Sequence, residues 1–185
     1  MSTMISALFI AVGSVPIIWL SRRSLLRPSS HGFFRFFAFE AILALVVLNA
    51  PRWFARPLAA RQLVSWLFLI ASLVLVVSGF VLLRRFGRPQ PPPQDSPNFT
   101  FENTTNLVTA GVYRYIRHPL YASGLFGAWG ALLKAVSGPT LLLAVLATLS
   151  LVATAKAEET ENLAHFGPAY QDYIGRTRLF IPFVL

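Results

Sequence analysis

Apolar residues run along this chain in five stretches, separated by short basic or turn-forming segments. A helix needs about 20 mainly apolar residues to cross the hydrocarbon of a bilayer, with roughly 17 to 25 tolerated. Residues 4–20 are apolar apart from small hydroxyls, 33–50 carry Arg35 near the start and Glu40 inside, and 63–83 are nearly unbroken. These predict the first three helices. After a polar middle, 120–133 and 140–155 predict a fourth and a fifth, joined by the Ser137-Gly138-Pro139 turn, the fourth being short and rich in glycine. In it Gly124, Gly127 and Gly130 recur at a spacing of three, with Ala122 and Ala128 nearby, which brings backbone close to a neighbouring helix or to a ligand. The pattern predicts an all-α, polytopic membrane bundle of about five transmembrane helices. Its parts are an N-terminal three-helix region over 1–87, a Pro-rich linker over 88–103, and a C-terminal hairpin with its polar tail over 104–185.

Composition agrees with the bilayer as the solvent. Of 185 residues 55% are hydrophobic and only 12% charged, against about a quarter charged in a soluble domain, and the mean hydropathy is +0.61. The absence of cysteine excludes disulfides, thiolate metal sites, a cysteine nucleophile and lipidation on cysteine. A net charge of +9 raises nucleic-acid binding. The placement of the charges argues against it, because the cations fall in clusters between apolar runs, as loop anchors do. Twelve of them (Arg22, Arg23, Arg27, Arg35, Arg84, Arg85, Arg88, Arg114, Arg117, Lys156, Arg176, Arg178) fall on one side of a five-span topology, and Arg52, Arg56, Arg61 and Lys134 on the other. Basic loops stay inside, so the N-terminus is expected outside and both polar segments in the cytoplasm, in the plasma (inner) membrane if the source is bacterial. The first run lacks a basic stretch before it and a small-residue cleavage signature, so it is expected to stay as a helix. The proline-rich 88–95 predicts an extended spacer. Asn98-Phe99-Thr100 and Asn103-Thr104-Thr105 match a glycosylation acceptor pattern on what is expected to be the wrong side for it.

The polar residues gather at 104–121 and 156–178, flanking the last hairpin. Pro119 suits a first helical turn, which puts His118 at the helix entrance, beside unsatisfied N–H groups that favour a carboxylate or phosphate. An interfacial belt of Tyr and Arg is the plain alternative. On the fifth helix, Glu158, Asn162 and His165 share one face, and Glu159, Leu163 and Phe166 another. These acids are either a solvated helix end or a seat for an ammonium or sulfonium. Glu40 lies about two turns into the second span; it is either functional or paired with a cation such as Arg35. No ligand spacing supports zinc.

Three elements then combine: Leu107-Val108-Thr109-Ala110-Gly111-Val112-Tyr113, Arg117-His118-Pro119-Leu120-Tyr121, and Glu158-Glu159 followed by Phe166-Gly167 with Tyr170 and Tyr173. Over roughly 104–182 the chain resembles the isoprenylcysteine carboxyl methyltransferases, integral membrane enzymes related to the phospholipid methyltransferases. The resemblance implies S-adenosylmethionine as cofactor and a lipophilic or lipid acceptor reached from the membrane. It implies that Thr105, Asn106, Leu107, Val108, Tyr113, His118, Pro119, Leu120, Tyr121 and Glu158 bind the cofactor, with Glu159 and Arg117 as the catalytic pair. The substrate arginine that eukaryotic carboxyl methyltransferases carry one turn before the glutamate is replaced by Thr154, with Lys156 the nearest cation. The competing readings are a steroid-reductase-type membrane enzyme using NADPH, against which two acids at the cofactor mouth argue, and a non-catalytic membrane subunit.

Overall fold

The computed structural model describes residues 3–91 and 99–182. It is all-helical: α1 (Thr3–Leu25), α2 (His31–Asn49), α3 (Ala60–Phe86), α4 (Pro119–Leu132), α5 (Gly138–Phe166) and α6 (Pro168–Arg176), with single 3-10 turns at Ala50–Arg52 and Gly111–Arg114. Among the described residues, four helices have the length and hydropathy to cross a membrane: α1, α2 with the turn after it, α3 and α5. The fourth helix falls short of a span. Its 14 residues give about 21 Å at 1.5 Å per residue.

Its length has a structural reason. α4 packs between α2 and α3 and against α5, and a Cβ on Gly79 of α3 would meet Pro119 and Leu120 at 3.2 Å. The start of α4 is therefore level with Gly79, whereas α3 runs on to Phe86, about 10 Å further. The volume that two more turns of α4 would fill is left to a cavity. Gly127 and Gly130 pack against Ser72 and Leu69 of α3, while Gly124 faces Leu151 and Ile42 and also lines the cavity. Small residues do the same across α2 and α5, where Ala41, Ala128, Ala131, Ala144 and Ala147 are buried in one cluster with Leu45 and Leu132.

α5 outlasts its apolar stretch. It opens on a capping box, with Ser137 N donating to Thr140 Oγ1 at 2.9 Å, and carries its polar residues as far as Phe166. Gly167, at φ +56°, turns the chain there. That backbone conformation, rather than crowding, requires glycine, since nothing lies within 4 Å of an added Cβ. The sixth helix, which the apolar pattern does not announce, buries Tyr170 and Tyr173 against the end of the bundle. Glu40 accepts a hydrogen bond from Ser14 of α1 at 2.6 Å, so Arg35 is not its partner. Residues 92–95 of the Pro-rich segment, and Asn98, lie outside the described residues; Pro89 pairs with Thr104 in an isolated bridge.

Candidate active site

The cavity above the start of α4 has a volume of about 310 Å³. α2 contributes Arg35 and Phe39, α3 Val76, Phe80 and Leu83, α5 Leu151, Glu158 and Asn162, and α6 Tyr170 and Tyr173. The segment 99–102 covers it with Phe99, Phe101 and Glu102. Beside it lies a smaller polar compartment of about 140 Å³, bounded by His31, Glu102, Glu158, Glu161 and His165.

Nine of the twelve expected site residues line the larger cavity: Leu107, Val108, Tyr113, Arg117, His118, Pro119, Leu120, Tyr121 and Glu158. His118 is 4% exposed. Its backbone N–H donates to Leu179 O at 3.2 Å, so that amide is not free for an anion. The ring sits between two carboxylates: Nδ1 stands 3.8 Å from Glu158 Oε2, while Nε2, 3.9 Å from Glu159 Oε1, is buried without a hydrogen-bond partner. Tyr121 stacks on the ring with centroids 5.5 Å apart. The Tyr173 hydroxyl donates to Tyr113 O at 2.6 Å, joining the tail to the loop before α4. Burial pushes the phenols of Tyr113, Tyr170 and Tyr173 well above their ordinary range, so they are neutral hydrogen-bonding groups rather than bases.

The other three lie outside the lining. The Thr105 and Asn106 amides both donate to Gly87 O, at 3.0 and 3.1 Å, and close the C-terminal end of α3. Glu159 is one residue from Glu158, about 100° around the helix, and turns away from the cavity. It accepts from Arg117 Nε at 2.6 Å and from Lys156 Nζ at 2.9 Å. Arg117 Nη1 in turn donates to Thr177 O at 2.6 Å and Ile174 O at 3.3 Å. This hub ties the loop before α4, the end of α5 and the last turn of α6 into one unit. Its backbone counterpart is the pairing of Arg117 N with Arg178 O at 2.8 Å and of Arg178 N with Tyr115 O at 3.0 Å.

A second charged group, absent from the sequence expectations, closes the cavity on the α2 side. Glu102 accepts from Arg35 Nη1 and from the Phe99 amide at 2.9 Å, and lies 3.3 Å from His31 Nε2. His31 Nδ1 is 2.7 Å from Glu161 of α5. Burial by itself would raise the Glu102 carboxyl, but Arg35 and His31 outweigh it and hold the group below its ordinary value. A signal for this pairing did exist: an arginine inside a span needs a counter-ion, and the chain has only seven acids.

Residues 60–171, well over half of the chain, match the phospholipid methyltransferase family. The match takes in α3, beyond the 104–182 region of the motifs. A stretch of 71 residues is 32% identical to methanethiol S-methyltransferase 2 of Bradyrhizobium diazoefficiens. That stretch is 38% of this chain and 27% of the relative, so the chain spans about a quarter of the length of the curated relative it matches. No solved structure matches. With the family match running from α3 through the hairpin into α6, over well over half of the chain, this chain belongs to the phospholipid methyltransferase family.

Proposed function

We propose that this chain is an integral membrane S-adenosylmethionine-dependent methyltransferase acting on a lipophilic acceptor. The observation that carries the reading is the approach of His118 and Glu158 to 3.8 Å in the wall of an apolar cavity, with His118 Nε2 buried and unpartnered. S-adenosylmethionine supplies, when bound, an electrophilic methyl group on a sulfonium, together with an ammonium and a carboxylate. The residues present fit a ligand of that kind. Glu158, a quarter exposed, is a carboxylate at the mouth of a dry site and would hold the cationic part. His118 Nε2 and the first turn of α4 would hold the anionic part. The ring of Phe166 and the neutral phenols of Tyr170 and Tyr173 would cover it from water. The work of the protein in such a displacement is alignment and exclusion of water, so the Arg117–Glu159–Lys156 hub serves by holding the tail in place. A carboxylate or thiolate acceptor needs no base; an amine acceptor has to lose a proton first, and Glu158 is the carboxylate on the cavity side.

The acceptor enters from the bilayer between α2 and α3. These helices make almost no contact with each other. At the level of the cavity Phe39, Val76 and Phe80 line it while remaining 38%, 39% and 36% exposed on the outer surface. The cavity end is the cytoplasmic end in this reading, since the ends of α1, α3, α5 and α6, the start of α2 and the segments between them on that side together carry twelve of the sixteen cations. Calorimetric titration of the detergent-purified chain with S-adenosylhomocysteine, with NADPH in parallel, tests the proposal. Saturable binding of S-adenosylhomocysteine alone is the expected result; binding of NADPH alone, or of neither, overturns it.

A further inference from the structure

We propose that the turn between α2 and α3, at the end of the bundle away from the cavity, is a docking surface for anionic phospholipid headgroups in the leaflet it faces. The two apolar spans that it joins end at Arg52 and begin again at Ala60, so residues 53–59 lie at the boundary of hydrocarbon and headgroups. There Phe54 and Leu58 are 76% and 82% exposed. Arg52, Arg56 and Arg61, which alternate with them along the chain, are exposed as well. Among the described residues none of these arginines has an acidic partner. The neighbouring sequence offers none, since no Asp or Glu occurs between Glu40 and Asp95. The buried Lys134, against the Trp66 ring, adds a further positive charge at the same end.

The turn is a fixed platform. Trp53 packs against the buried cluster of α2, α4 and α5 with its ring 6.5 Å from that of Trp66, and the Phe54 ring lies 5.9 Å from the same indole. Backbone hydrogen bonds close the chain between, from Ala55 N to Arg52 O at 3.2 Å and from Ala59 N to Arg56 O at 3.0 Å. Arg61 Nη2 reaches Lys134 O at 3.4 Å. Arg56 takes φ +49°, a conformation that Gly or Asn adopts at less cost, and Pro57 after it restricts its backbone further. The chain therefore holds a cation where other residues would fit more easily, between two exposed apolar side chains. Apolar groups alternating with arginines at the edge of a bilayer suit a lipid surface: the first enter among the acyl chains while the guanidinium forks meet phosphate oxygens. A soluble protein would have to lift Phe54 and Leu58 out of the membrane boundary to cover them. Uncompensated charge then selects among lipids, favouring an anionic headgroup over a zwitterionic one by about fivefold for each arginine near the surface.

The test reads tryptophan quenching in vesicles. The full chain carrying Trp19→Phe keeps Trp53, Trp66 and Trp129 and loses the tryptophan that sits beside Arg22 near the opposite end. It is reconstituted in phosphatidylcholine with equal fractions of either brominated phosphatidylglycerol or brominated phosphatidylcholine. The anionic lipid is expected to associate about fivefold or more tightly than its zwitterionic counterpart at low salt, and the ratio to fall as salt screens the charges. With Arg52→Gln, Arg56→Gln and Arg61→Gln combined, the ratio is expected to return to about one, the denaturation midpoint in pure phosphatidylcholine being held. Equal association of the two lipids with the chain that keeps its arginines overturns the proposal, and that comparison needs none of the arginine variants to fold. A preference that survives the triple change also overturns it, by assigning the lipid to other cations. Absence of quenching by either lipid overturns it too, and gives the face to a protein partner.

Discussion

At its C-terminal end α4 is sealed by side chains of the neighbouring helices: Asn49 donates to Ala131 O at 2.7 Å, Ser65 to Gly130 O at 2.6 Å and Gln62 to Lys134 O at 3.1 Å. The Lys134 ammonium, fully buried, lies 3.3 Å from the centre of the Trp66 ring, a cation held against an aromatic face. At its N-terminal end, the same helix meets His118, Glu158 and Arg35, whose ring and guanidinium keep buried nitrogens in reserve around a cavity. Both ends keep unpartnered buried atoms, Trp53 Nε1, Gln62 Oε1 and Lys134 Nζ at the sealed end and Arg35 Nε, Arg35 Nη2 and His118 Nε2 at the other, but only the second group lies on residues that line the cavity. What distinguishes the two ends is the space beside the polar groups: one is packed against neighbouring helices, the other borders a cavity.

The Arg117 hub breaks that division, because it lies at the cavity end and is nevertheless fully used. Arg117→Ala leaves Glu159 with the exposed Lys156 alone and frees the Thr177 and Ile174 carbonyls, and loss of one partner of a buried pair costs about 3 kcal/mol or more. The expected outcome is the largest drop in denaturation midpoint of any change considered, read by tryptophan fluorescence in detergent. If Arg117→Ala keeps its midpoint and loses only turnover, the arginine is catalytic and the comparison is wrongly drawn. His118→Ala and Glu158→Gln are expected to behave in the opposite way. Each should weaken S-adenosylhomocysteine binding about tenfold, roughly 1.4 kcal/mol, with the denaturation midpoint held. Unchanged affinity in both variants would remove the cofactor from this end of the cavity.

Much of this was legible in the sequence, for identifiable reasons. The first three helices and the hairpin follow from apolar length, and the Arg-His-Pro-Leu-Tyr and Glu-Glu elements do lie at the cavity. What escaped was geometry that adjacent residues share. Glu158 and Glu159 look alike in sequence, and only their separation of about 100° on α5 sends one to the cavity and the other to Arg117. Thr105 and Asn106 adjoin Leu107 in the chain but close α3 instead of lining the site, because the chain needs a stop at Gly87 before it can turn. The Arg35–Glu102 pair joins residues 67 apart, so no local pattern announces it. α4 reads as a short span, and only its level against Gly79 makes the shortness a cavity.

The sealed end offers a smaller test. Asn49→Ala removes a buried donor to Ala131 O, and interhelical hydrogen bonds of this kind are worth about 1 kcal/mol in membrane bundles. Unfolding stability should fall by about that amount, seen as a small drop in midpoint, with S-adenosylhomocysteine affinity unchanged. A fall in affinity would mean that the two ends are coupled through α4, and the comparison would have to become one of degree.

The finest readout is a dependence on pH and concerns the cover over the cavity, where Glu102 joins the 99–102 segment to α2. Its carboxyl is held below its ordinary value of 4.5, so ionised Glu102 contributes stability above pH 4.5 that is lost as pH falls through its lower, folded value. The groups facing it are Arg35, His31 and the Phe99 amide, and protonation removes the charge that Arg35 is paired with. Other carboxylates titrate in the same window, so the measurement is a difference. Denaturation midpoints of the unaltered chain and of Glu102→Gln should run parallel at neutral pH and converge below pH 4.5, as the unaltered chain loses what the variant never had. Curves that stay parallel through that window would mean that Arg35 does not depend on Glu102 for its charge balance. The cavity end would then hold its arginine as the far end holds Lys134, against an aromatic face, here the ring of Phe99.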